Sequence, residues 1–277
     1  MAYHRILTVQ DVSCLGQCSI TVALPVLSAC GHETCIIPSA VLSTHTGGDF
    51  EGYTFRDLTE DVPAICAHWL RQGYCFDAVY AGYLGSVKQA EYVENIFQTL
   101  LKDGGKKIVD PAMGDNGRLY AGFDEAYAAA IARLCASADV ILPNVTEACY
   151  MTGMAYKERY DEGYIQELLL RLQGLGAKSV ILTGVSFDAE NTGVMALSGG
   201  ETRYYWHRRI DRMFHGTGDV YASAFVGAWL SGKDIFEAAR IAADFTVSAI
   251  EHTLDDEEHW YGVKFEKALP ELIEAIK

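Results

Sequence analysis

The 277-residue chain is half apolar and 21% charged, with a formal net charge of −15. A chain of this size and composition buries a full core. Its acidity speaks against nucleic acid or an anionic membrane surface as a partner, since both need a basic face.

In chain order, the first predicted strand covers 5–10 and runs into Asp11, and a helix follows at 17–30. Strand 34–43 leads to Thr44, His45 and Thr46; with the Gly/Thr-rich stretch LSTHTGGDFEGYTF (42–55) it is expected to project as a lid over one end of the sheet. Helix 60–72 precedes strand 77–85, which holds Tyr83, and helix 87–102 precedes strand 106–114, with Asp110 and Asp115 at its end. Helix 124–136 precedes strand 139–144, which ends on Asn144, and Glu147 falls in the next helix, 145–153. Helix 161–175 precedes strand 179–186, with Thr183 and Gly184. A strand pair, 192–198 and 202–208, and helices near 218–231, 234–253 and 265–276 complete the chain. The short strands are apolar almost throughout, which suits burial on both faces. Strands alternating with helices through short links predict an α/β fold around a parallel sheet. No Pro/Ser-rich linker and no repeat divides the chain, so one domain over 1–277 is expected.

Residues 1–10 lack the features of a secretory leader. No apolar run approaches the roughly 18–20 residues that cross a bilayer. A cytoplasmic location is expected, with the eight Cys reduced. Cys14 and Cys18 are the one close pair and lack two further ligands at zinc spacing.

Ligands of open α/β sheets collect beyond the carboxyl ends of the strands, where this chain places Asp11, His45, Thr46, Tyr83, Asp110, Asp115, Asn144, Glu147, Thr183 and Gly184. Asp110-Pro-x-x-Gly114-Asp115 puts two carboxylates in one turn. Asn144 and Glu147 are three apart and face the same way on a helix beginning at 144. These groups suit Mg²⁺, which takes one or two carboxylates, waters and phosphates. An N-cap Asn with a first-turn Glu fits the same residues equally well.

The segment RRIDRMFHGTGDVYASAFVGAWL (208–230) opens a helix with Gly216-Thr217-Gly218-Asp219. The third Gly of a dinucleotide fingerprint is missing, and no Walker loop occurs. As an anion cradle, the two Gly let successive N–H groups face one hollow at a helix N-terminus. Asp219 on its rim is placed to accept a hydroxyl proton, or only to complement the helix dipole. Arg208, Arg209 and Arg212 approach the motif, either as a cover touching phosphates or as solvated loop charges.

GTGD followed by VYASAFVGAWL resembles the signature of the ribokinase-like superfamily of small-molecule kinases. AGYLGS (81–86), VDPAMGD (109–115), LPNVTEA (142–148) and STHTG (43–47) look like its pyridoxal/pyridoxamine kinase branch. The resemblance implies a three-layer sandwich and transfer of the ATP γ-phosphoryl group to the 5′-hydroxymethyl of pyridoxal, pyridoxine or pyridoxamine. It casts Asp219 as base and Gly216, Thr217 and Gly218 as anion hole. It sets Asp110, Asp115, Asn144 and Glu147 around Mg²⁺ and the ATP phosphates, with Asp110 and Glu147 on the metal side, partly through water. Thr183 and Gly184 match the nucleotide-side strand end. His45, Thr46 and Tyr83 match the vitamer pocket, with Tyr83 against the pyridine ring. A homodimer is also implied, and a monovalent cation stays open. One position departs: the family usually has Ser where this chain has Asp11, and a carboxylate there favours a protonated pyridine nitrogen or a cationic amine. A hydroxymethylpyrimidine or sugar kinase of the same fold, and a non-catalytic nucleotide- or pyridoxal-phosphate-binding protein, are the alternatives.

Overall fold

The computed structural model describes residues 3–48 and 50–277; Asp49, within the stretch expected to form a lid, lies outside the described residues. The elements begin with β1 (Arg5–Ser13), α1 (Ile20–Ala29), β2 (Glu33–Leu42), β3 (Phe55–Asp57), α2 (Val62–Arg71), β4 (Phe76–Ala81), α3 (Val87–Thr99) and β5 (Leu101–Val109). Next come β6 (Gly114–Asp115), β7 (Arg118–Leu119), α4 (Glu125–Ala136), β8 (Val140–Ile141), α5 (Val145–Thr152), α6 (Glu162–Leu175) and β9 (Ser179–Val185). The chain finishes with β10 (Asn191–Ser198), β11 (Glu201–Arg208), α7 (Thr217–Leu230), α8 (Ile235–Glu251) and α9 (Phe265–Ala275).

One nine-stranded sheet runs in the order β11-β10-β9-β8-β5-β4-β1-β2-β3. From β9 to β2 all neighbours are parallel, so six carboxyl ends open on one edge. The outer strands β3, β10 and β11 join antiparallel. Strand order reverses beside β1, the kind of point where α/β sheets bind ligands. Successive side chains of β4 take opposite faces: Ala78 and Tyr80 join one core cluster, and Val79 and Ala81 the other. The core on the Val79 side holds residues of α2 to α6, and that on the Tyr80 side those of α1, α7, α8 and α9. Helices therefore cover both faces, as the three-layer reading expects. Each fully buried large side chain, such as Phe225 or Ile96, contributes roughly 1.5–3 kcal/mol. Helix α7 is apolar on nearly every side because it lies between the sheet and its helical neighbours α1 and α8. No helix among the described residues is long and apolar enough to cross a membrane.

Helix starts expected at 124, 161 and 234 prove to be N-caps: Asp124, Asp161 and Asp234 accept from Tyr127, Tyr164 and Glu237 N–H at 2.9, 2.9 and 2.8 Å. Several boundaries differ from the expected ones. Strand 5–10 continues to Ser13, so Asp11 lies inside β1, where the register against β2 shifts. Strand 77–85 ends at Ala81, and strand 106–114 ends at Val109, just before Asp110-Pro111. Helix 87–102 stops at Thr99, because β5 already pairs Leu101 with Phe76; the regular ladder resumes at Lys106. The helix expected from 17 begins at Ile20, after Ser19 turns to φ 53°. Strand β3 and the β6–β7 hairpin were not anticipated.

Candidate active site

A cavity of about 420 Å³ at the carboxyl edge is lined by Asp110, Asp115, Asn144, Glu147, Thr183, Gly184 and the run Gly216-Thr217-Gly218-Asp219. A second, of about 500 Å³, shares Asp115, Asn144, Thr183 and Gly184 and adds Tyr156, Tyr160, Arg209 and Ile210. The two form one elongated cleft. Its inner end is the N-terminus of α7, where Gly216 stands at φ 74°. A Cβ there would overlap the carbonyl oxygen of Gln17, so only glycine closes this turn. Gly218 faces open space. The first-turn N–H groups of a helix have no partners within it and carry its positive dipole end, so this hollow suits an anion.

Asp219 sits in the first turn of α7. Burial pushes its carboxyl up to about 7, against the backbone N–H of Ser19; the charge of Asp11 pushes the same way as burial. The unusual φ of Ser19, 53°, belongs to the residue that aims this N–H.

Asp110 is 8% and Glu147 3% exposed. Glu147 accepts from Met113 N–H at 3.1 Å through Oε1 and from Asn144 N–H at 2.8 Å through Oε2. Asn144 Oδ1 accepts from Glu147 N–H at 2.9 Å, completing a capping box, and its Nδ2 donates to Gly114 O at 2.8 Å. The capping alternative therefore describes the local geometry, while both side chains also line the cleft. Burial raises Glu147, and Asp110 is raised by burial and by the charges of Glu147 and Asp219. Glu147 has N–H donors and Asp110 has none among the described residues, so the proton these two acids retain belongs on Asp110. An acidic inner cleft with an unpartnered buried carboxylate fits a divalent cation that also draws ligands from phosphates and water. Among the described residues no group of three His, Cys, Asp or Glu is arranged as a self-sufficient metal site.

The four residues expected around an acceptor are placed differently. Asp11 is 5% exposed and accepts from Ser13 Oγ at 3.0 Å; burial raises its carboxyl. Tyr83 lies with its ring 5.5 Å from Phe123, which stacks on Tyr127 at 3.8 Å. Burial and the charge of Asp11 lift the Tyr83 phenol to about 12. His45 is buried with both ring nitrogens engaged: Nδ1 accepts from Gly47 N–H at 3.1 Å, so Nε2 carries the hydrogen and donates to Tyr261 O at 2.9 Å. Only its ring face and edge remain for a ligand. Thr46 is exposed, and none of the four is among the residues lining the two cavities. Cys18 lies near Asp219 and Asp11, and burial with their charges keeps its thiol protonated.

The three Arg residues before the motif separate. Arg209 lines the outer cavity. Arg212 donates to Leu254 O at 2.8 Å and Asp256 O at 2.9 Å, so it braces a loop. Sequence reasoning missed Tyr120, whose phenol lines the inner cavity and is raised by burial and four nearby carboxylates. It also missed the β6–β7 hairpin, although Asn116-Gly117 was a legible signal. The pair adopts φ 50° and 76°, the two-residue turn that Asn-Gly favours. The hairpin is tied to α5 by Gly117 N–H donating to Thr146 Oγ1 at 2.9 Å. His207 also lines both cavities; no pattern in the sequence distinguished it.

A family profile described as phosphomethylpyrimidine kinase matches residues 28–263. The chain is 30% identical over 178 residues to the hydroxymethylpyrimidine/phosphomethylpyrimidine kinase of Haemophilus influenzae, covering 62% of this chain and 65% of that one. The match thus spans just under two thirds of that curated relative. A crystal structure of a candidate phosphomethylpyrimidine kinase from Bacteroides thetaiotaomicron superposes with a TM-score of 0.93 at 34% identity, covering 97% of this chain and 93% of that chain. Pyridoxal kinase from Lactobacillus plantarum superposes with a TM-score of 0.89 at 32% identity, covering 98% and 97%.

Proposed function

Because the chain belongs to the phosphomethylpyrimidine kinase family, of ribokinase-like fold, we propose that it is an ATP-dependent kinase. Its acceptor is the 5′-hydroxymethyl group of a vitamin B6 vitamer. The observation that carries this reading is Asp219, raised to about 7, on the rim of the glycine-capped N-terminus of α7. A base with its pKa near the working pH is best matched to taking a hydroxyl proton.

Asp219 accepts the proton of the acceptor hydroxyl as its oxygen bonds to the γ-phosphorus. The bond from that phosphorus to the β,γ-bridging oxygen breaks, and ADP leaves with the electron pair. N–H groups of Gly216 to Gly218 receive the charge spread over the phosphoryl oxygens; one such donor is worth roughly 10²–10³ in rate. Asp110 and Glu147 would hold Mg²⁺, Glu147 through water because backbone donors occupy its oxygens. When bound, Mg²⁺ neutralises phosphate charge. Tyr120 is a phenol donor beside the phosphates, and Arg209 is a cation on the outer nucleotide side. The Tyr83–Phe123–Tyr127 aromatic stack supports a flat heteroaromatic acceptor over a sugar. The Bacteroides thetaiotaomicron protein also has a crystal form with pyridoxal.

The test is a panel of pyridoxal, pyridoxine, pyridoxamine, hydroxymethylpyrimidine and sugars with Mg-ATP, read as ADP formation. We expect the B6 vitamers to turn over fastest. A preference for hydroxymethylpyrimidine would move the acceptor within the family, and no turnover in the panel would overturn the kinase reading. Asp219→Ala should abolish transfer while retaining nucleotide binding. Asp11 is assigned to vitamer preference, toward a cationic amine or ring. Asp11→Ser should therefore lower kcat/KM for pyridoxamine relative to pyridoxal, and an unchanged order of vitamers would remove this role.

A further inference from the structure

His45 packs beside His215, which lines the inner cavity, and its turn, with Gly48 and Phe50, rests on a loop far away in sequence. The Phe50 ring is 4.6 Å from that of Trp260. His45 is 4.9 Å from His215 and 6.4 Å, edge-on, from Trp260. A Cβ at Gly48 would come to 2.5 Å from Trp260 and 2.9 Å from His215, so the turn reaches these rings only because it carries no side chain. His45 Nε2 ties the same segment to the Tyr261 carbonyl at 2.9 Å.

The receiving loop, 254–262, is itself pinned to both other walls of the site. Arg212, four residues before Gly216, donates to Leu254 O and Asp256 O. Gln17, whose carbonyl abuts Gly216, gives its Nε2 hydrogen to Glu266 at 2.8 Å, so its Oε1 accepts from His259 Nε2 at 2.9 Å. The Asp256–Lys264 ion pair at 2.5 Å closes the loop on itself. The turn of His45 to Phe50, the Arg212 segment and Gln17 therefore meet on one C-terminal loop.

We propose that the 254–262 loop is a latch: Trp260 and Tyr261 hold His45, Gly48 and Phe50 against His215 and so set the acceptor pocket against the Gly216–Gly218 hollow. Trp260 is a positioning residue, acting through His45 and Phe50. The role in acceptor binding rests on the kinase reading above; the mechanical contact does not.

Two measurements on the full chain separate these. Amide hydrogen exchange of the free protein over 43–55 should quicken about 10-fold or more in Trp260→Ala with α7 protection unchanged, since local opening is read from such rates. With Mg-ATP, acceptor KM should rise about 10-fold while ATP KM stays within about twofold, the split expected when one substrate's site alone is loosened. Trp260→Phe should restore both. If Trp260→Ala does not fold, Gln17→Ala, which frees the anchor without touching 45–50, should give the same two changes. Unchanged exchange over 43–55 overturns the latch. Faster exchange with an unchanged acceptor KM, or with both KM values rising together, overturns its positioning role. Wild-type enzyme that phosphorylates no acceptor overturns the kinase reading and the positioning role together, while the exchange result still decides the contact.

Discussion

Asp219 sits where function and stability pull in opposite directions. Its carboxyl is raised from 3.8 to about 7, chiefly by burial. A base must be ionised to act, so kcat/KM should climb through a midpoint near 7 and level off above it. Asp219→Asn should lower kcat by about 10²–10⁴, the usual worth of such a group, and abolish that limb. The stability effect has the opposite sign. A carboxylate with a folded pKa above its unfolded one holds extra protons when folded, so its contribution falls as pH rises from 3.8 to about 7. At pH 8 the variant should thus melt higher than wild type in scanning calorimetry, although it is inactive. A lower melting temperature would show that Asp219 is better solvated in the free protein than its burial implies.

At the scale of elements, α5 and the β6–β7 hairpin act as one unit. Asn144 caps α5 and also holds the hairpin through Gly114 O, while Glu147 reaches back to Met113 N–H. Asn144→Ala removes a cap worth about 1 kcal/mol. A loss of that size should lower the melting temperature by about 2–4 °C in a chain this long. Because the hairpin borders the phosphate side of the cleft, ATP KM should rise in the same variant while acceptor KM stays near wild type. A fall in melting temperature with ATP KM unchanged would confine Asn144 to capping. Helix α7 shows the complementary case: apart from the half-buried Trp229, its apolar body is covered, so its main solvent-facing part is the first turn, which lines the inner cavity.

Over the whole molecule, acidity is concentrated where a polyanion is proposed to bind. Asp110, Glu147 and Asp219 are all raised by burial, and each also feels a neighbouring carboxylate. All three contribute stability slopes of the same sign, so the free protein should melt lower at pH 8 than at pH 6. Mg-ADP should reverse the trend, since a cation bound only by the folded chain stabilises in proportion to its occupancy, and carboxylates bind it once deprotonated. Differential scanning fluorimetry with Mg²⁺ alone, ADP alone and both would check this, with the largest gain expected for the pair. A free protein whose melting temperature rises from pH 6 to pH 8 would contradict the burial of charge in the cleft.

Much of this was legible along the chain. Apolar strands spaced by capped helices specify a parallel sheet because hydrophobic period and cap chemistry are local properties. The rule that ligands gather at carboxyl ends selected Asp110, Asp115, Asn144, Glu147, Thr183 and Gly184, and the GTGD motif added Asp219; all of these line one cavity, whereas Asp11, His45, Thr46 and Tyr83, selected by the same rule, line neither cavity. Asn116-Gly117 was equally readable as a turn, although it falls outside every predicted element. What sequence could not supply depends on contacts across long separations. His45 lies 216 residues from the carbonyl that engages its ring, and Gln17 lies 242 from His259; nothing in either neighbourhood announces the partner. The same holds for Arg209 and Arg212, alike in sequence yet divided into a cleft cation and a loop brace. Local pattern determined the layers and the residues at their edge. Only tertiary packing, which sets burial and therefore charge, decided which carboxylate is raised to about 7 beside the α7 N-terminus, which lacks a donor and which is held by backbone N–H groups.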